Sequence, residues 1–128
     1  MKNIFEINSW DEESYLELGD GAKYSRATIK KKYQGDLVGS GHLEYVMAYH
    51  ADGSASFVGV EHFEGAYKGR QGSAAFEHRG TFRDGVAASQ FHVYEGSGMN
   101  DLAGLVGKGS YTTGHSMTVE FDLMFELV

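Results

Sequence analysis

Alternation with a period of two runs through most of this chain, and no stretch carries an apolar stripe at helical spacing. Consecutive side chains of a strand point to opposite faces, so the pattern predicts an all-β protein. It is clearest over Met117 to Val128, where Met117, Val119, Phe121, Leu123, Phe125 and Leu127 share one face. Thr118, Glu120, Asp122 and Glu126 occupy the other, where only Met124 and Val128 interrupt the polar run. Ser54 to Tyr67 divides the same way, with Phe57, Gly59, Glu61, Phe63 and Gly65 on one face and Val58, Val60, His62 and Glu64 on the other. Gly72 to Phe82 sets Phe76, His78, Gly80 and Phe82 against Glu77, Arg79 and Thr81.

About eight strands follow from these patterns. They are Ile4 to Ile7, Tyr24 to Tyr33, Leu37 to His50, Ser54 to Tyr67, Gly72 to Phe82, Val86 to Glu95, a seventh ending near Thr113, and Met117 to Val128. Asp11 to Gly21 is acidic and breaks the alternation, so it is predicted to be irregular, with room for a short helical turn. The chain has 18 glycines and no proline. That balance favours turns and kinked hairpins, and it leaves no gap in the ladders, because proline cannot donate a sheet hydrogen bond. Long strands in sequential order suit an eight-stranded antiparallel up-and-down (meander) barrel, a single domain over residues 1–128. A β-sandwich is the alternative, but it favours shorter strands and crossover connections.

Composition excludes several kinds of chemistry. Without cysteine there is no disulfide, thiolate nucleophile or cysteine zinc site. Eighteen acidic residues against 11 basic ones give a formal charge of −7, which disfavours nucleic acid as a partner. Lys30, Lys31 and Lys32 form the one basic run, read as a solvated rim or edge because neighbouring strand residues diverge. No apolar signal segment follows Lys2 and no stretch approaches a membrane span, so a cytoplasmic protein without membrane contact is expected.

Hairpin length decides which face is inside. If Ala51-Asp52-Gly53 is a three-residue loop and Lys68-Gly69 a two-residue one, Leu43 faces Glu61, Met47 faces Phe57, Glu61 faces Phe76, and Gly59 faces His78. The aromatics of three strands then share the interior with Glu61 and His78, and Gly59 leaves room beside the imidazole. The opposite choice turns Val58, Val60 and His62 inward. The first register buries more aromatic surface and leaves Val58 and Val60 for the outer wall, which suits contact with a second copy of the chain. In it, Glu61 and His78 are diagonal neighbours. They are the candidate catalytic pair for general acid–base work, or else two groups that satisfy each other structurally.

The ordered segments Trp10-Asp11-Glu12, Tyr24-Ser25-Arg26-Ala27, Gly35-Asp36-Leu37-Val38-Gly39-Ser40-Gly41, Gly59-Val60-Glu61-His62-Phe63-Glu64-Gly65 and His78-Arg79-Gly80-Thr81-Phe82, with the glycine-rich Gly96 to Leu105, resemble the bacterial family DUF3224 over nearly the whole chain. Met99 and Asn100 depart from the Thr-Gly that many members of that family carry. The resemblance implies an eight-stranded barrel similar to allene oxide cyclase and dirigent proteins. It supplies no catalytic residues.

Glu61, His78 and His92 converge as a metal triad only if Arg83-Asp84-Gly85 forms a three-residue loop, which turns Phe91 and Val93 outward; no metal or cofactor is therefore expected. Gly96 to Gly109 lacks the ending of a phosphate loop and reads as a turn or barrel rim. Trp10 is placed as a plug or at a cavity mouth. The expected function is to bind one small apolar ligand with Tyr45, Met47, Tyr49, Phe57, Phe63, Phe76 and Phe91. An isomerase or cyclase using Glu61 and His78, and a non-catalytic scaffold acting as a homodimer, are the alternatives.

Overall fold

The structure, a computed structural model, describes residues 2–128. Its strands are β1 (Asn3–Gly19), β2 (Ala22–Gln34), β3 (Leu37–Tyr49), β4 (Ala55–Tyr67), β5 (Arg70–Arg83), β6 (Val86–Val93), β7 (Met99–Asn100), β8 (Leu105–Thr113) and β9 (Thr118–Leu127). Eight of them form a closed antiparallel ring in the order β4-β3-β2-β1-β9-β8-β6-β5, with β5 pairing back to β4. The two-residue β7 is an addition on β5, at Gly72 and Ser73. The closing seam between β1 and β9 is the short one, four residue pairs from Asn3↔Phe121 to Glu6↔Thr118.

The turns set the register as their residues demand. Lys68-Gly69 and Asp84-Gly85 are two-residue loops with both residues at positive φ, the conformation that matches strand twist. Ala51-Asp52-Gly53 spans the β3–β4 hairpin, closed by a hydrogen bond from His50 N to Ser54 O. The resulting pairs are Leu43↔Glu61, Met47↔Phe57, Glu61↔Phe76 and Gly59↔His78, as the hairpin argument requires. Phe57, Glu61, Phe63, Phe76 and His78 are buried, and Val58 and Val60 are exposed on the outer wall. Because Asp84-Gly85 is a two-residue loop, Phe91 faces His78 inside and His92 faces solvent. The conditional metal triad is not assembled, and no metal-binding group of acidic and histidine side chains occurs among the described residues.

Two expectations are corrected. Asp11 to Gly19 is neither irregular nor helical: it continues β1, paired with β2 to the Gly19↔Ala22 closure. Three register shifts, between Ile7 and Ser9, Ser14 and Leu16, and Glu17 and Gly19, break the period of two there and hide the strand. The Lys30–Lys32 run is not wholly a solvated edge, because its middle member is one of the most buried side chains in the protein, 2% exposed. The glycine-rich segment makes turns and the short β7 up to Gly104, whereas Leu105 to Gly109 already belongs to β8. Asn100 takes φ 59°, a conformation that asparagine tolerates better than most residues. Leu102 of the same segment is fully buried.

The interior has two parts. One is a packed aromatic cluster that includes Phe5, Tyr33, Phe63, Phe76, Phe91, Phe121 and Phe125. The other is a smaller cluster of Ala27, Ile29, Leu43, Tyr45, Met47 and Phe57. Inward-facing glycines let rings lie over the neighbouring backbone. A Cβ on Gly59 would stand 2.6 Å from Tyr45 Cδ1, one on Gly80 2.6 Å from Phe57 Cζ, and one on Gly109 would collide with Phe91 Cζ. The space beside Gly59 therefore belongs to Tyr45. No helix of the described residues is long and apolar enough to cross a membrane.

Candidate functional site

Four polar side chains meet inside the barrel. Glu61 on β4 accepts hydrogen bonds from Tyr33 OH at Oε2 (2.5 Å) and from His78 Nε2 at Oε1 (2.5 Å). Lys31 Nζ is 3.3 Å from the same Oε1. Lys31 and Tyr33 lie on β2, with the whole of β3 between them and β4. They reach Glu61 because the residues of β3 opposite them are Gly41 and Gly39, which present no side chain in between. A Cβ on Gly41 would collide with Glu61 Oε2. This glycine is a window through which two strands that do not pair exchange charge and hydrogen bonds.

The electrostatics follow from the geometry. Burial opposes ionisation of Glu61, but the Lys31 charge, followed by His78 and Tyr33, brings its pKa down to about 2. His78 moves the other way from the usual partner of a carboxylate. Burial, then the Lys31 ammonium, lowers its pKa against the pull of Glu61. An imidazolium would add a second positive charge to a pair already neutral, and its Nδ1 has no hydrogen-bond partner. His78 is thus neutral, donating from Nε2, with its ring 5.0 Å from Phe91 and nearly parallel to it. The cluster as a whole carries no net charge. Lys31 also lies over the Phe5 ring, 4.2 Å from its centroid, a favourable position for a buried cation.

Beside the cluster, toward the barrel end formed by the β3–β4, β5–β6 and β8–β9 connections, lies a cavity of about 310 Å³. Of the four cluster members only Lys31 lines it. Its other polar lining includes Tyr45 and Tyr111, whose hydroxyls are 3.1 Å apart, and Tyr49, Thr113, His115 and Ser116. Trp10 stands at the mouth, partly exposed. Its indole Nε1 donates to Glu12, whose other oxygen accepts from Tyr49 OH and Ser25 Oγ. Those hydrogen bonds hold the Glu12 carboxyl below its ordinary pKa although partial burial raises it.

Of the residues expected to touch ligand, Tyr45, Met47, Tyr49 and Phe57 line this cavity. Phe63, Phe76 and Phe91 do not: they belong to the packed aromatic half. Glu61 and His78 do meet, directly, but behind the cavity wall. Lys31, Tyr33 and Tyr111 complete the site and were not expected from the sequence. The signal for the first two was parity: Ala27, Ile29, Lys31 and Tyr33 alternate with Thr28, Lys30, Lys32 and Gln34, which puts a lysine on the apolar face of its strand.

The window gives a direct expectation. Gly41→Ala should cost about 1–3 kcal/mol by overpacking against a carboxylate that three partners hold in place, measured by urea denaturation. The control is Gly114→Ala, where the nearest atom to a new Cβ is 3.8 Å away. Equal losses in the two variants would contradict the window.

The family model described as "Protein of unknown function (DUF3224)" matches residues 1–125. Among solved structures, the chain is similar to a protein of unknown function from the DUF3224 family of Shewanella oneidensis MR-1. The TM-score is 0.76 at 23% identity, over 98% of this chain and 97% of that one. At that identity the likeness establishes the fold alone. No curated protein matches the chain.

Proposed function

The chain belongs to the DUF3224 family of proteins of unknown function, and from its cavity we propose that it is a binding module for one small, largely apolar molecule. The observation that carries this reading is the unequal filling of the barrel. One half is packed solid with rings, whereas the other keeps about 310 Å³ of space lined by Ile29, Leu43, Met47 and Phe57. That volume lies at the lower end of ligand pockets, roughly 300–1,000 Å³. Solid cores leave few voids larger than a water molecule, and this space lies inside the barrel and opens beside Trp10 at its end, as a binding site would.

Proton transfer by Glu61 and His78, the isomerase or cyclase reading, has less support. Glu61 is held ionised by three partners, which makes it a weak base near neutral pH, and neither side chain lines the cavity. The binding reading is tested on two levels. Native mass spectrometry of protein purified from its own host should show a retained small molecule. In vitro, a naphthalene-sized hydrocarbon should quench Trp10, the only tryptophan, and Ala87→Phe at the cavity wall should abolish the quenching. A host-purified protein without adduct, together with unchanged Trp10 emission, would remove the basis for a binding module.

A further inference from the structure

Lys31 has hydrogen-bonding capacity that the protein does not use. An ammonium carries three N–H donors, and among the described residues Lys31 Nζ makes one hydrogen bond, to Glu61 Oε1. The rings of Phe5, Tyr33 and Tyr111 surround the cation at 4.2, 5.7 and 5.8 Å, but a ring face answers the charge more than the directional N–H. The side chain is 2% exposed and lines the cavity. Next to it, Tyr45 OH and Tyr111 OH share one hydrogen bond, which uses one of their two hydroxyl protons. Beside Lys31, a largely apolar cavity thus offers a buried cation with unused N–H donors.

Charge narrows the class of molecule further. The positive charge of Lys31 is already matched by Glu61, and His78 behind them is neutral. Burial raises the pKa values of the Tyr33 and Tyr45 phenols, which therefore add no charge. An anionic head group placed against Lys31 would leave one uncompensated negative charge in a low-dielectric interior, which is costly. A pure hydrocarbon would displace water from Lys31 and leave its donors unmade, which is also costly. A neutral oxygen acceptor avoids both penalties.

Resting on the binding reading above, we propose that the ligand is a neutral apolar molecule carrying a carbonyl-type oxygen, such as a ketone, ester or quinone, which accepts from Lys31 Nζ and from the Tyr45–Tyr111 hydroxyl pair. The test uses three probes of nearly one shape: 2-acetylnaphthalene, 2-isopropenylnaphthalene and 2-naphthoate, each titrated into the full chain with Trp10 emission as readout. The ketone is expected to bind about tenfold or more tightly than either of the others. In the double variant Lys31→Met/Glu61→Gln, which keeps the cluster neutral, the ketone should lose most of its advantage over the hydrocarbon and keep only the part that the Tyr45–Tyr111 pair supplies. Tyr111→Phe, a milder change, should weaken the ketone and leave the hydrocarbon unaffected. Equal binding of ketone and hydrocarbon in the natural protein, or tightest binding of the naphthoate, overturns the proposal while the binding module stands. Failure of all three probes to alter Trp10 emission overturns both.

Discussion

Replacing Lys31 with methionine is expected to lower the unfolding free energy by about 3–5 kcal/mol at pH 7, the range for removing one partner of a buried ion pair. Lys31 and Glu61 are both buried, at 3% and 0% exposure. Without the ammonium, Glu61 keeps its hydrogen bonds from Tyr33 and His78 but no longer faces a full opposite charge. Its carboxylate must then either remain ionised without compensation or take up a proton, and both states are less stable than the natural pair. Two observations separate this from lost packing. The double variant Lys31→Met/Glu61→Gln should recover most of the loss, because the amide that replaces the carboxylate is neutral and retains polar atoms for Tyr33 and His78. The deficit of the single variant should also shrink as pH falls from 7 toward 4, where protonating Glu61 becomes easier. A single variant as stable as the natural protein in urea would contradict the ion pair.

Acid should unfold the protein in two stages that trace to the same cluster. The folded His78 binds a proton less readily than the unfolded chain does, because of burial and Lys31. Stability therefore begins to fall as pH drops below the ordinary histidine value of 6.5. Glu61 contributes in the lower range. Its pKa is 4.5 ordinarily and about 2 when folded, so its contribution is complete above 4.5 and is lost as pH descends toward 2. The lower stage amounts to roughly 3 kcal/mol. Glu12 shifts in the same direction but is partly exposed, so solvent screening reduces its share. Unfolding curves of the natural protein and of the Lys31→Met/Glu61→Gln variant between pH 2 and 4.5 test the Glu61 part; above that range the variant also loses the Lys31 effect on His78. Parallel curves below pH 4.5 would show that Glu61 has no depressed pKa in the folded protein.

Much of the architecture is legible in the chain because strand and turn chemistry are local. Asp-Gly and Lys-Gly at the hairpins set the loop lengths, loop lengths set the register, and the register put Glu61 and His78 inside with Phe57, Phe63 and Phe76. β1 was legible only as far as Ile7. Beyond it, three register shifts change the parity of the strand, and a pattern that depends on parity cannot be followed across them. The same reading overlooked Asp20-Gly21, whose positive φ values of 55° and 85° close the β1–β2 hairpin.

The site was half legible. Glu61 and His78 lie on adjacent strands, where register alone brings them together. Lys31 lies on β2, and nothing local distinguishes it from the exposed Lys30 and Lys32 beside it except its place among Ala27, Ile29 and Tyr33. Its partner became visible only when Gly41 was seen to open β3 between the two. Likewise, the shared interior face of Tyr45, Phe57, Phe63, Phe76 and Phe91 was readable, but its division into a packed half and a cavity was not. By itself, then, the amino-acid order determined the strands, most of their registers and which face turns inward, since alternation and turn geometry act over a few residues. The tertiary structure alone decided which interior charges pair and where space remains, because both depend on side chains from strands that never touch along the chain or across a ladder.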